Sequence, residues 1–261
     1  MKAEVNGTTI SYTLDGPERA PVVLMSHSLA CTGAMWDAQM PALADYRVLR
    51  VDMRGHGASG VPGDDYTLEQ LADDEIALLD HLEIERVHFV GLSIGGMIGQ
   101  TFALKAGNRL RSLTLSSTMC EVPPAAAQMF EDRVDLARSG GMEAHVDGTI
   151  ERWFSEAFCA DRPDLVDPIR QQIRTTPVDG FAGCCRAISR LSLTERLSGI
   201  STPTLVIAGE LDPGATPAVA EVIQSNIPDA ELLVIDGTLH ICNIEKPDVF
   251  NAALTGFLAK H

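Results

Sequence analysis

"VHFVGLSIGG", residues 87–96, decides how the rest of the chain is read. An apolar run from Val87 to Val90 reaches a glycine, and a serine then stands among further glycines: Gly91-Leu92-Ser93-Ile94-Gly95. When a strand turns straight into a helix, side chains two before and two after the apex collide. Glycine at 91 and 95 removes that collision and opens strained backbone angles. The spacing predicts a sharp strand-to-helix elbow with the Ser93 hydroxyl exposed at the N-terminus of the next helix. Composition alone produces this pattern in about one chain in ten of this length, so the surroundings must carry the reading.

Outward from the elbow, the chain alternates strand and helix signals. "EVNGTTISYTLDG" alternates around Asn6-Gly7 and predicts an N-terminal hairpin. The runs at 21–26, 46–52, 86–91, 110–117, 203–209 and 230–236 are apolar on both faces or nearly so, as buried parallel strands are. Between them, "TLEQLADDEIALLDHL" (67–82) sets Leu71, Ile76, Leu78, Leu79 and Leu82 mostly on one side, and Thr67-Leu68-Glu69-Gln70 resembles a capping box. "PAVAEVIQSNI" and "PDVFNAALTGFLAK" predict the last two helices. The fold class that follows is α/β with a mostly parallel central sheet.

Residues 119–196 break the alternation. They contain "AQMFEDRVDLARSG", "IERWFSEAFCA" and "GFAGCCRAISRL", with helical periodicity and no convincing strand. The expected organisation is a core of residues 1–118 and 197–261 with a helical lid, 119–196, inserted between two strands. Ligands of an open α/β sheet bind beyond the carboxyl ends of its strands, which is where such an insertion would close over them.

The chain has 261 residues, 45% hydrophobic, enough for one large domain. Lys+Arg number 20 and Asp+Glu 36, a net charge of −16. Such a surface repels phosphate backbones, so nucleic acid is not an expected partner. No run of 18 apolar residues and no basic amphipathic stretch points to a membrane. The start, "MKAEVNGTTI", has no apolar signal core, and a cytoplasmic location is expected. The six scattered cysteines lack C-x-x-C spacing and read as reduced core residues, with neither metal nor disulfide implied.

A serine hydroxyl needs a base, most often a histidine oriented by a carboxylate. Asp212 follows the strand ending at Ala208, and His240 lies just beyond the last strand. Both therefore fall on the strand edge that carries Ser93. Glu210 and Asp236 are nearby rival carboxylates, the first too early in its loop and the second a turn residue. Among the other histidines, His81 and His88 read as structural, and His145 and His261 as surface residues. Acyl transfer also needs oxyanion donors: the backbone N–H of Ile94, after the serine, and that of Leu29, in the loop after "PVVLMS".

These stretches resemble the α/β-hydrolases over nearly the whole chain. "DMRGHGASG" (52–60) is similar to their D-x-R-G-x-G-x-S segment, and "GLSIGGMIGQ", "GELDPGATP" and "LHICNIEKPDVFN" to their elbow, acid and histidine loops. "SLACTGAMWDAQM", "ERWFSEAF" and "GCCRAI" extend the resemblance to the 3-oxoadipate enol-lactonases of aromatic-compound degradation. Those enzymes usually read Ser-Asn-Ser-Leu-Gly where this chain has Ser26-His27-Ser28-Leu29-Ala30. The resemblance implies a cofactor-independent hydrolase of a small lactone or ester, with Ser93, Asp212 and His240 as triad. A general carboxylesterase, a cofactor-free perhydrolase or haloperoxidase, and a receptor on the same fold are the alternatives. Trp153 and Phe154 are expected to line the substrate pocket. An enol-lactone substrate carries a carboxylate and so needs a local cation; of Arg133, Arg138, Arg152, Arg174 and Arg186, Arg133 is the first choice because it lies on the first lid helix.

Overall fold

The computed structural model describes residues 1–261. β1 (Lys2–Val5) and β2 (Thr8–Asp15) form the N-terminal hairpin, turning on Asn6 and Gly7 at φ 46° and 75°. Two consecutive positive φ values define the tight hairpin turn, and asparagine and glycine adopt them at least cost. β3 (Val22–Ser26), β4 (Arg47–Asp52), β5 (Val87–Leu92), β6 (Leu110–Ser116), β7 (Thr204–Gly209) and β8 (Glu231–Ile235) complete one sheet. Its spatial order is β1-β2-β4-β3-β5-β6-β7-β8, antiparallel at β1/β2 and β2/β4 and parallel elsewhere. β3, β5 and β7 are buried at every position, as helices on both faces require.

Register places the functional edge. Ser26 pairs with Gly91, Leu92 with Ser116, Ser116 with Ile207, and Gly209 with Ile235. The carboxyl ends of β3, β5, β6, β7 and β8 therefore lie together. The chain runs from β3 outward to β4 and then returns to the other side of β3 as β5. Such a reversal opens a crevice between the two strand ends.

α1 (Leu68–His81) starts as its sequence predicts: the Thr67 hydroxyl accepts the Gln70 N–H at 3.1 Å. α2 (Ile94–Ala106) leaves the end of β5 and is buried from Ile94 to Ala103. Between β6 and β7 the chain forms α3 (Pro124–Gly140), α4 (Glu143–Trp153), α5 (Glu156–Asp161), α6 (Pro163–Thr175) and α7 (Val178–Ser189). The neck of this excursion is closed by Val122 N–H on the Leu191 carbonyl at 2.9 Å and Leu193 N–H on the Cys120 carbonyl at 2.8 Å. Val134, Ile150, Ile173 and Phe181 of these helices belong to the same apolar core as the sheet. α8 (Pro217–Asn226), α9 (Cys242–Glu245) and α10 (Pro247–Leu258) return the chain to the sheet. No helix is long and apolar enough to cross a membrane.

Candidate active site

Ser93 sits between β5 and α2 at φ 58°, ψ −117°. Such an angle pair costs about 1–3 kcal/mol and persists only where the surroundings over-determine it. Here the Ser93 N–H donates to Ser116 O at 2.9 Å, and its carbonyl accepts the Thr118 hydroxyl at 2.7 Å. A Cβ at Gly91 would overlap the Gly95 carbonyl, and one at Gly95 would overlap the Ser26 carbonyl. The two glycines are therefore obligatory, as the collision argument requires.

Asp212 and His240 come from the loops after β7 and β8. His240 Nδ1–H donates to Asp212 Oδ2 at 2.7 Å, which leaves Nε2 free to exchange a proton. Asp212 Oδ1 accepts the N–H groups of Gly214 and Ala215 at 2.9 and 3.0 Å. Burial alone would raise the Asp212 pKa, but the charge and hydrogen bond of His240 and the two backbone N–H groups outweigh it and hold the carboxyl below its ordinary value. Of the rivals, Glu210 has a turn role, its Oε2 accepting the Gly237 N–H at 2.7 Å, while at Asp236 it is the backbone carbonyl that is engaged, by Lys246 Nζ. No protein acceptor takes the N–H of Leu29 or of Ile94, so both expected oxyanion donors are unengaged.

The loop carrying Leu29 is pinned by two buried histidines. His27 Nδ1–H donates to Ser28 O at 2.7 Å, and its Nε2 accepts the Met53 N–H at 3.0 Å. His56 Nε2 accepts the Ala30 N–H at 3.0 Å, and its Nδ1–H donates to Arg54 O at 3.3 Å. Burial keeps both imidazoles neutral; the His56 pKa is pushed down to about 3, with the nearby His27 adding to the shift. Ala30 has φ 60°, a left-handed conformation that costs a non-glycine residue roughly 1–2 kcal/mol.

Ser93, His240, Asp212, Ser28 and Leu29 share the wall of a cavity of about 510 Å³ with Met97, Met119, Arg133, His145, Arg152 and Trp153. The Trp153 ring stacks on His240 at 5.8 Å and 28°.

An α/β hydrolase fold family model matches residues 21–247. The chain belongs to the α/β-hydrolase family. The 3-oxoadipate enol-lactonase 1 of Acinetobacter baylyi is 35% identical over 97% of this chain and 94% of its own length. The enol-lactonase from Burkholderia xenovorans LB400 superposes with a TM-score of 0.95 at 36% identity, covering 99% of this chain and 100% of that one. A thermophilic esterase from Thermogutta terrifontis, determined with malate bound, gives 0.94 at 28% identity over 100% and 98%. The protein is thus an enzyme of the α/β-hydrolase family with a hydrolase function.

Five arginines were candidates for an anion contact in this hydrolase, and the structure separates them. Arg138 pairs with Asp64, Arg174 with Glu143 at 2.7 Å, and Arg186 with both Glu131 and Asp64. None of these three faces the cavity. Arg133 and Arg152 line it, and neither has a carboxylate partner. The Arg133 guanidinium lies over the Phe130 and Phe181 rings at 5.9 and 5.7 Å, with its buried Nε unpartnered. Arg152, at the mouth, reaches only the Thr149 hydroxyl at 3.3 Å. Desolvation and then the Arg133 charge lower its pKa, against the raising effect of the Glu151 charge.

Trp153 reaches the cavity and Phe154 does not. α4 ends at Trp153, and Phe154 is extended (φ −133°, ψ 145°), so its ring turns into the core and stacks on Phe158. The sequence pattern also misplaced His145. It is not a surface residue: it is 6% exposed, lines the cavity, and donates from Nε2 to the Arg133 carbonyl at 2.9 Å. Burial lowers its pKa against the raising effect of that bond, and the Arg133 and Arg152 charges add to the lowering. Glu245 carried no sequence signal either. Its carboxylate accepts the N–H groups of Leu239 and Ser155 at 2.6 and 2.8 Å, tying the His240 loop to the start of α5.

Proposed function

We propose that this hydrolase opens a small anionic lactone through an acyl-serine, and that its substrate is of the 3-oxoadipate enol-lactone class. Ser93 Oγ attacks the ring carbonyl while His240 Nε2 takes its proton and Asp212 stabilises the imidazolium. The N–H groups of Leu29 and Ile94 receive the oxyanion. The ring oxygen leaves as an enol protonated by His240, and the enol ketonises. Water, deprotonated by His240, then attacks the acyl-serine and releases the acid. No cofactor enters. The inserted helices act as a lid, and Arg133 holds the substrate carboxylate.

The observation that carries this reading is the pair of uncompensated arginines in the triad cavity. In a chain of net charge −16, carboxylates are abundant, yet neither Arg133 nor Arg152 is ion-paired, although the Glu151 charge acts on Arg152. A partly desolvated cation without a counter-ion is a site for an anion from outside. The relatives named enol-lactonases support the same substrate class.

A general carboxylesterase is the second reading, favoured by the methionines at 97, 119 and 129 on the cavity wall, which adapt to varied acyl groups. Ranking kcat/KM over enol-lactones, simple lactones and short neutral esters decides between them. The anionic enol-lactone is expected first. Consistent preference for neutral esters would replace the lactonase reading with the esterase.

A further inference from the structure

The hydrogen bonds of the loop after β3 give His56 a task that no sequence motif announced. The Ser28 carbonyl accepts the Cys31 N–H at 3.1 Å, so residues 28–31 form a turn with Leu29 and Ala30 at its centre. Ala30, the second central residue, has φ 60°. A turn with positive φ there favours glycine, and an alanine prefers the alternative in which the central peptide plane is flipped. That plane carries the Leu29 carbonyl and the Ala30 N–H. His56 is placed to decide its orientation. Its Nδ1–H is donated to the Arg54 carbonyl, so Nε2 bears a lone pair, and that lone pair accepts the Ala30 N–H at 3.0 Å. A flip would set the Leu29 carbonyl oxygen against the same lone pair.

The preceding peptide plane carries the Leu29 N–H itself. Its other end, the Ser28 carbonyl, is held by His27 Nδ1–H at 2.7 Å. Because the two planes are joined at Leu29, freeing one loosens the other. His56 is fully buried, lies outside the cavity wall, and stands 5.4 Å from the His27 ring, on the loop after β4. It can touch no substrate, so any effect on turnover is indirect, and its bond to the Ala30 N–H is the link that leads to the Leu29 peptide.

We propose that His56 is a positioning residue for the oxyanion site: by accepting the Ala30 N–H it holds a left-handed alanine turn in the orientation that leaves the Leu29 N–H aimed at the cavity. The inference rests on the serine-hydrolase reading given above. It implies a compensation between two positions 26 apart in sequence, because a glycine at 30 would hold the same turn without help.

The test uses p-nitrophenyl acetate, with the active fraction counted by a fluorophosphonate, on wild type, His56→Leu, His56→Gln and His56→Leu/Ala30→Gly. His56→Leu is expected to lose ~10–100-fold in kcat per labelled site, the scale of a misaimed oxyanion donor, with KM within about twofold. Its affinity for a boronic acid mimicking the tetrahedral state should fall by a similar factor. His56→Gln, whose amide oxygen can accept the Ala30 N–H, should recover most of the loss, and adding Ala30→Gly to His56→Leu should recover at least ~5-fold, since glycine bears no penalty at positive φ. A purely structural His56 would lower the melting temperature or the labelled fraction and leave kcat per site unchanged. That result, a loss confined to KM, or failure of Ala30→Gly to restore turnover would each overturn the proposal. If His56→Leu does not fold, His56→Asn, with its acceptor set back from the Ala30 N–H, replaces it under the same criteria. A wild type that neither turns over the ester nor is labelled at Ser93 would instead sink the hydrolase reading, whatever the variants do.

Discussion

Ser93 combines strain with exposure: its φ of 58° is fixed by backbone bonds on both sides while its side chain reaches the cavity. Ser93→Ala keeps the Cβ and the turn, so the variant should fold normally. It should lose at least ~10³-fold in kcat, because nucleophile, base and acid act as a unit. A fluorophosphonate should modify Ser93 alone, as peptide mapping would read; labelling of another serine would move the nucleophile elsewhere. Arg133→Gln should cost about 1.5–3 kcal/mol in kcat/KM for the anionic lactone and little for a neutral ester. Arg152→Gln should cost less, because that side chain is at the exposed mouth. Equal losses on both substrate types would deny Arg133 the carboxylate. Place on the first lid helix put Arg133 first, but spacing could not separate the other four arginines, because what distinguishes them is their partner. Arg186 is neutralised by Asp64, 122 residues away, and no local pattern reports such a pairing.

Among the elements, α1 carries an unused buried acid. Glu75 Oε1 accepts the Ser26 hydroxyl at 2.7 Å, Oε2 has no partner, and the residue is 2% exposed. Burial raises its pKa from 4.5 to about 8, against the lowering effect of the Ser26 bond and with the Asp74 charge adding to the rise. Between those values the folded chain holds a proton that the unfolded chain has lost. The contribution is therefore fully present below about pH 4.5 and declines as pH rises toward 8. Glu75→Gln should melt with wild type at pH 5 and above it at pH 8, as calorimetry at the two pH values would show. A wild-type advantage at pH 8 would place a stabilising ionised carboxylate there instead. Neighbouring Asp74, unlike Glu75, is ion-paired: Arg54 engages both of its oxygens at 2.6 and 2.7 Å. At the elbow, Gly95→Ala should abolish soluble expression or activity, since its Cβ would overlap the Ser26 carbonyl. Most elements were legible from local signals: the Asn6-Gly7 turn, the Thr67 cap and the doubly apolar strands. The break between α4 and α5 was less so. Helical periodicity runs through "IERWFSEAF", but Ser155 caps a new helix by accepting the Phe158 N–H, and the extended Phe154 then faces the core.

On the scale of the whole molecule, two fields oppose each other at the cavity. For the proposed anionic lactone, the net charge of −16 would repel from a distance, whereas Arg133 and Arg152 would attract at contact. Salt screens exposed, distant charges within about 10 Å at 0.1 M ionic strength and buried contacts much less. Raising salt from low concentration to about 0.15 M should therefore increase kcat/KM for the anionic lactone a few-fold and leave a neutral ester unchanged, as initial rates would read. A decrease would mean that the cavity cations already outweigh the surface.

The layered α/β architecture, the elbow, and the placement of Asp212 and His240 on the strand edge that carries Ser93 were legible in the residues alone. Each rests on short-range physics: strand and helix periods, glycine where a Cβ collides, and loops leaving strand ends on one edge. Contacts between distant segments alone settled that His145 turns inward from α4 to the cavity wall, that Phe154 turns away from the cavity while Trp153 stacks on His240, that Glu245 ties two loops together, and that His56 receives the Ala30 N–H. Burial and hydrogen-bond partnership depend on which distant segments meet, and periodicity along one helix cannot say which of its faces another will cover.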